Sequence, residues 1–250
     1  MTYSREDSMR WSVVVPAYNE EQRLPAYLRE IITYFDDREE AYEVIVVDDG
    51  SHDKTVNVVE RFQVAAPSVR LIKLMENRGK GYAVRTGMLE AKGALCLFAD
   101  ADGATPIREL ERLERAIANG ADIAIGSRTA RDPTRTVQAR MFRKISGSIF
   151  NIAVRSLGVT DITDTQCGFK LFRAPVARAL FSTLQCDGFS FDVELLFLSQ
   201  RWKYQIVEVP VHCTEQAGSK VRVVRDGLRM LYDVWMVRRN YHHGLYPQRS

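Results

Sequence analysis

The chain reads as an α/β protein with a mostly parallel central sheet and helices on both faces. Short apolar runs alternate with amphipathic segments from Trp11 to Ile125, the rhythm of successive strand–helix units. Two of those runs end on paired acids, Asp48-Asp49 and Asp100-Ala101-Asp102, and sheets of this class bind ligands beyond the carboxyl ends of their strands. With 46% hydrophobic residues in 250, the chain can bury a full core.

Each element has a local reason. Trp11 to Val15 is a strand stopped by Pro16, and Pro25 suits the first turn of a helix with Leu24, Leu28, Ile31 and Phe35 at helical spacing. Val44 to Val47 is the second strand. Ser51 is placed to cap the next helix, with Asp53 in its first turn and Thr55, Val58, Val59 and Phe62 on one face. Val69 to Leu74 is the third strand, and Val84, Gly87, Met88 and Ala91 mark the helix after it. Leu95 to Ala99 is the fourth strand, Pro106 opens a helix, and Asp122 to Ile125 is the fifth strand. Beyond Arg128 the sequence predicts a helical stretch to Leu157, a strand from Cys167 to Phe172, helices at Pro175–Leu184 and Phe191–Trp202, and a strand near Ile206–Val211. A final helix, Val221 to Asn240, is expected to set Val224, Leu228, Leu231 and Trp235 against Arg222, Arg225 and Arg229. The boundaries drawn from this are a flexible N-terminus (1–10), an α/β half (11–127), a second half of the same domain with amphipathic helices (128–240) and a C-terminal tail (241–250).

Composition excludes several classes. Lys and Arg number 35 against 32 Asp and Glu, a net charge of +3, too small an excess to argue for nucleic acid. The four cysteines, Cys96, Cys167, Cys186 and Cys213, show no C-x-x-C spacing, which indicates neither a zinc site nor a disulfide framework; buried free thiols in a reducing compartment are expected. His52, His212, His242 and His243 have no metal spacing. Met1 to Arg10 lacks a signal-peptide core, and no run reaches the roughly 18 apolar residues that span a bilayer. A cytoplasmic location, peripheral at the cytoplasmic face of a membrane, is the expectation.

Asp100 and Asp102 follow a buried-type strand, and side chains two residues apart leave a strand on the same side. Two hard oxygen ligands without Cys or His suit Mg2+ or Mn2+, with positions left for substrate phosphates. Arg128 to Lys144 carries Arg128, Arg131, Arg135, Arg140, Arg143 and Lys144, with Asp132 as its sole acid. Guanidinium groups fork onto phosphate oxygens, which favours Arg128 and Arg143 as phosphate contacts. Gly79-Lys80-Gly81 imitates a dinucleotide fingerprint, but Val84 replaces its third glycine and it does not follow the first strand. A dehydrogenase is therefore not expected. Met141, Ile145, Ile149 and Ile152 share one face of a basic stretch, a pattern that suits a helix lying on an anionic bilayer.

Pro16-Ala17-Tyr18-Asn19-Glu20, Asp48-Asp49-Gly50-Ser51, Asn77-Arg78-Gly79-Lys80-Gly81 and Asp100-Ala101-Asp102-Gly103 together resemble the GT-A fold inverting glycosyltransferases. Asp164-Thr165-Gln166-Cys167-Gly168-Phe169-Lys170, Phe191-Asp192-Val193-Glu194-Leu195-Leu196 and Gly218-Ser219-Lys220 narrow the resemblance to the dolichyl-phosphate (polyprenyl-phosphate) β-glucosyltransferases, over roughly Trp11 to Asn240. The resemblance implies a metal-dependent transfer of a hexose, glucose from UDP-glucose, onto a polyprenyl or dolichyl phosphate. It implies donor contacts from Pro16, Ala17, Tyr18, Glu20, Asp48, Asp49, Lys80, Asp100 and Ala101. Asp102, with Asp100, would hold the metal; the position two residues on, where related mannosyl-phosphate enzymes carry a further ligand, is Ala104. Arg128, Arg143, Lys144 and Lys220 would bind the acceptor phosphate. Asp102, Arg128 and Asp192 are the candidate catalytic residues. Asp192 and Glu194 serve either as a base for a hydroxyl acceptor or to position basic groups. Two alternatives stay open: transfer from UDP-glucose or GDP-mannose to a soluble phosphorylated or hydroxyl acceptor, and a nucleotide-sugar-binding protein without catalysis.

Overall fold

Apolar residues crowd the first strands because both of their faces are covered. β1 (Trp11–Ala17), β2 (Tyr42–Asp48) and β3 (Val69–Lys73) alternate with α1 (Leu24–Asp36), α2 (Thr55–Ala65) and α3 (Lys80–Glu90). β4 (Leu95–Ala99) leads through a 3-10 turn (Ile107–Glu109) to α4 (Leu110–Ala118) and β5 (Ile123–Ser127). Then come β6 (Phe169–Arg173), α5 (Ala174–Phe181), α6 (Phe191–Arg201), β7 (Ile206–Pro210) and α7 (Val223–His242). The computed structural model describes residues 9–128, 162–214 and 223–247, with the side chains of 223–231 outside that description.

Among the described residues, seven strands order as β3-β2-β1-β4-β6-β5-β7. β1 pairs in parallel with β2 and β4, β2 with β3, and β5 with β7. β6 runs antiparallel to β4 and β5. The chain moves outward from β1 to β3, then returns to place β4 on the other side of β1. That reversal makes β1/β4 a switch point, where loops diverge and leave a crevice.

Strand alternation divides the core in two. Val14, Ile45, Val47, Phe98 and Phe172 face one layer with Val84 and Met88 of α3, Leu180 of α5 and Leu195 of α6. Val13, Val15, Val44, Val46, Leu97 and Leu171 face the other, with Leu28 and Ile31 of α1 and Leu113 of α4. Among the described residues, no helix is long and apolar enough to cross a membrane.

Three local expectations need correction. Ser51 does not cap α2: its Oγ accepts the Asn19 N–H at 2.9 Å. Asp53 lies ahead of the helix rather than in its first turn, which begins at Thr55, and its Oδ1 accepts the Thr55 N–H at 2.9 Å. Trp235 does not lie on the packed side of α7; it is 53% exposed, whereas Val234 and Val237 are buried. One residue along a helix turns about 100°, so a stripe centred on Val234 and Val237 leaves Trp235 outside it. The Val137–Leu157 stretch lies outside the described residues.

α3 packs tightly on the sheet at Gly87, where an added Cβ would collide with Val14 and approach Val47 Cγ2 at 2.9 Å. Overpacking a dense layer costs about 1–3 kcal/mol. Gly87→Val should therefore lower the unfolding free energy obtained from urea titration by an amount in that range; an unchanged unfolding free energy would show the layer to be looser than this.

Candidate functional site

The loops after β1, β2 and β4 meet at the switch point. Asn19 has a positive φ of 52°, tolerable for Asn, and its Oδ1 accepts the His52 N–H at 2.8 Å. The Asp49 N–H bonds the Ala17 carbonyl at 2.8 Å. Tyr18 meets His52 edge-on, with centroids 6.4 Å apart. Pro16 does not stop β1 as the sequence suggested: it pairs in register with Val47 and the strand runs on to Ala17, because β4 has already ended its pairing at Val14 and a missing N–H is tolerated there.

Asp48 and Asp49 are both buried but differ in use. Asp49 accepts the Arg78 and Gly79 N–H groups at 2.8 and 2.9 Å. Burial pushes its carboxyl up, and those two bonds restrain the rise. Asp48 Oδ2 accepts the Ser51 N–H at 3.1 Å, while its Oδ1 is buried without a partner. A buried acceptor left unpaired costs about 1–3 kcal/mol, so this atom is suited to an N–H or O–H donor brought by a ligand.

β4 delivers Asp100, Ala101 and Asp102. The Asp100 N–H bonds the Gly168 carbonyl at 2.9 Å, so the antiparallel β6 brings its own N-terminal end to this carboxylate. A side chain at 168 would overlap the Asp100 carboxylate. Asp100 Oδ1 pairs with Lys80 Nζ at 2.6 Å. Burial opposes charge on Lys80, but Asp100 and Asp192 overcome it and hold the ammonium above its ordinary value. Ala101 is buried. Asp102 Oδ1 accepts the Ala104 N–H at 3.0 Å, and Asp102 Oδ2 lies 3.7 Å from Arg23 Nη1. Arg23 in turn forks onto Glu20, at 2.7 Å from Nε and 2.5 Å from Nη2.

Asp192 is buried and pairs with the fully buried Lys170 at 2.5 Å. Lys170 also donates to the Cys167 carbonyl at 2.6 Å. Burial pushes the Asp192 carboxyl up, with Lys170 and Lys80 opposing. Asp100, Lys80, Asp192 and Lys170 thus alternate in sign, and both ammonium groups lie near the Phe98 ring, at 5.3 and 5.7 Å from its centroid. Glu194 does something else. It accepts from the Gln185 and Cys186 N–H groups and from the Tyr246 hydroxyl at 2.6 Å, fastening α6 to neighbouring chain.

Arg128 leaves the end of β5 and forks onto the buried Asp164, with Nε and Nη2 each at 2.8 Å; its N–H adds a third bond at 2.9 Å. Burial favours the neutral Asp164, but Arg128 outweighs it and lowers the carboxyl below its ordinary value. Arg143, Lys144 and Lys220 lie outside the described residues, as do Arg131, Arg135 and Arg140. Sequence reasoning assigned no role to Arg23, Asp164 or Lys170. The Glu20/Arg23 spacing of three was a signal for the first pair; Lys170 gave none, since a lysine within a strand ordinarily faces water.

The acid loop also meets the chemistry of a hard divalent cation. Asp100 and Asp102 offer oxygen donors only, partly exposed at 33% and 27% of their side chains. No cluster of three or more His, Cys, Asp or Glu occurs among the described residues, so phosphate and water would have to complete the coordination sphere.

A switch-point crevice edged by acids and cations on this sheet defines the class: a GT-A glycosyltransferase. Residues 12–181 match the description Glycosyl transferase family 2, and the chain belongs to that family. It is 44% identical over 249 residues to the dolichyl-phosphate beta-glucosyltransferase of Drosophila melanogaster, covering 94% of this chain and 76% of that one. The Homo sapiens enzyme of the same name is 41% identical over 246 residues, with 93% and 76% covered. Among solved structures, glucosyl-3-phosphoglycerate synthase from Mycobacterium tuberculosis in complex with Mn2+ and UDP-glucose superposes with a TM-score of 0.65 at 17% identity, covering 92% and 79%. Mannosyl-3-phosphoglycerate synthase from Rubrobacter xylanophilus gives 0.66 at 20%, covering 96% and 76%. At such identities these structures establish the fold.

Removing one partner of a buried ion pair strands the other charge, at about 3–5 kcal/mol, whereas replacing both is far milder. Lys170→Met should therefore lose that much stability in urea unfolding, and Lys170→Met/Asp192→Leu markedly less. Equal losses would show that the pair carries no buried charge. At the Arg128–Asp164 pair the sign is fixed by the lowered Asp164 carboxyl. Its contribution is present above the unfolded carboxyl's pKa of about 3.9 and vanishes as pH falls through the lower folded value. The stability gap between wild type and Asp164→Asn should accordingly narrow below about pH 4; a gap that widens there would contradict the pairing.

Proposed function

We propose that this chain transfers glucose from UDP-glucose to dolichyl or another polyprenyl phosphate, inverting the anomeric centre. Relatives of that activity at about two-fifths identity support the reading, and the observation that carries it is the convergence of Asp100 and Asp102 with Lys80, Arg23 and the unpaired Asp48 Oδ1 at one crevice.

In this reading Asp48 accepts an N–H of the base or a ribose hydroxyl. Pro16, Ala17, Tyr18 and Asp49 form the remaining wall, with Glu20 holding Arg23. Asp100 and Asp102 hold a Mg2+ or Mn2+, which when bound supplies Lewis-acid neutralisation of a diphosphate leaving group. Lys80 and Arg23 add fixed positive charge beside the same phosphates. Arg128, steered by Asp164, contacts phosphate at the reaction centre, with Arg143, Lys144 and Lys220 on the acceptor side. A phosphate oxygen of the acceptor attacks the anomeric carbon from the face opposite UDP. The new carbon–oxygen bond forms as the bond to UDP breaks. The nucleophile is already anionic, so no base is needed, and Asp192 serves by holding Lys80 and Lys170 in place. The exposed rings of Tyr232 and Trp235 suit a peripheral contact with the membrane that carries the acceptor, since such rings favour the bilayer interface. A cytoplasmic face fits a donor made as a soluble nucleotide-sugar.

Purified protein with Mn2+, UDP-glucose and dolichyl phosphate should form glucosyl lipid. Asp102→Ala should lower kcat/KM by on the order of a hundredfold or more, the scale of losing several kcal/mol of charge stabilisation, and a chelator should silence the wild type. Undiminished transfer by Asp102→Ala in chelator would refute the role of the acid loop.

A further inference from the structure

The first turn of α3 carries Lys80 but has no side-chain cap of its own. Gly79 stands at the N-cap position with nothing to offer, and a helix start leaves its leading N–H groups without partners. The segment between α5 and α6 (182–190) supplies what is missing. The Asp187 carbonyl accepts the Tyr82 N–H at 3.1 Å. Arg85, one turn on, donates to the Leu184 carbonyl and to Asp187 Oδ1 at 2.7 Å each. The fit has no slack. A Cβ at Gly79 would lie 2.5 Å from the Asp187 carbonyl oxygen, and one at Gly81 would lie 2.5 Å from that of Cys186. Where this segment sits therefore decides where the turn bearing Lys80 sits.

The far side of the same segment is held by α6, α7 and the residues after α7. Glu194, wholly buried in α6, accepts the Gln185 N–H at 3.0 Å and the Cys186 N–H at 2.8 Å. Its Oε1 also accepts the Tyr246 hydroxyl at 2.6 Å. These partners are all donors, the surroundings of an ionised carboxylate, and hydrogen bonds to an ionised group are short and strong. Asn240 of α7 donates to Gln185 Oε1 at 2.9 Å, and Ser190 Oγ donates to Asp233 Oδ2 at 2.7 Å. Beyond α7 the chain turns back on the molecule. The Leu245 N–H bonds the Asn240 carbonyl at 3.0 Å, and the Trp202 indole N–H bonds the Pro247 carbonyl at 3.2 Å. Tyr246, between them, is buried.

We infer that Tyr246 and Glu194 are positioning residues for Lys80. Tyr246 sets Glu194, Glu194 sets the backbone at Gln185 and Cys186, and the next carbonyl caps the turn from which Lys80 reaches Asp100 at 2.6 Å. Neither residue contacts the donor. The inference rests on the assignment of Lys80 to the donor phosphates. Without the Tyr246 hydroxyl, a buried carboxylate oxygen loses a partner, which is costly, and Glu194 shifts to recover one. The 185–187 backbone then loosens, the cap on Tyr82 weakens, and the ammonium is no longer held at one place. Donor binding weakens as a result, through a segment at the opposite end of the sequence from the acid loops.

The test is calorimetric titration of UDP with Mn2+ into the full chain and its variants, with no acceptor present. Tyr246→Phe removes only the hydroxyl and keeps the ring in its buried place; Glu194→Gln turns one acceptor into a donor. Each should raise the Kd for UDP by on the order of threefold to tenfold, the scale on which residues without ligand contact modulate binding. Lys80→Met should raise it by about tenfold or more, the loss of a hydrogen bond from a charged group. In the Lys80→Met background Tyr246→Phe should add almost nothing, since residues that act through one another are not additive. A loss due only to a looser fold would instead multiply in both backgrounds. The inference is overturned if Tyr246→Phe or Glu194→Gln binds UDP as the wild type does while Lys80→Met binds it weakly, or if the Tyr246→Phe loss is the same with and without Lys80. Should Lys80→Met bind UDP as tightly as the wild type, the assignment of Lys80 to the donor falls, and this inference with it.

Discussion

An alternating row of buried and half-buried charges, Asp100, Lys80, Asp192 and Lys170, holds this molecule's working edge in shape. Lys170 reaches Asp192 from within β6, and Lys80 reaches Asp100 from the first turn of α3. Each charge would be costly alone in such surroundings; together they are tolerated, and their geometry fixes where the acid loop can sit. β6 contributes twice, since its inserted antiparallel path also presses Gly168 against the Asp100 carboxylate.

The same economy of position runs across the site. Glu20 fixes Arg23 beside Asp102, and Asp164 fixes Arg128 at the end of β5. Cations are thus aimed by carboxylates that burial and backbone contacts have already immobilised. Preorganised charge of this kind needs little rearrangement when a charged group arrives. The unpaired Asp48 oxygen is the complementary case, a buried acceptor with no partner within the fold.

Much of the architecture was legible in the chain. Buried parallel strands announce themselves as apolar runs, and their ends as acids and glycines, so the strand order in sequence and the positions of Asp48, Asp49, Asp100 and Asp102 were readable. Direction and pairing were not, because periodicity within β6 is the same whether the strand runs with or against its neighbours. Lys170 was opaque for a related reason: its charge is cancelled by a residue 22 positions away. Trp235 misled through a stripe that shifts by one helical position, and Ser51 through a capping preference overridden by its bond to Asn19. Asp164 stood in a recognised motif, yet its hold on Arg128 spans 36 positions and only the folded sheet discloses it.

The most direct examination of this account is anomalous diffraction from crystals soaked with Mn2+ and UDP-glucose. The account predicts a manganese peak in contact with Asp102 and the donor diphosphate, with Asp100 and Lys80 alongside and the uracil against Asp48. A nucleotide bound elsewhere, or a manganese peak remote from Asp100 and Asp102 while the nucleotide is bound, would contradict it.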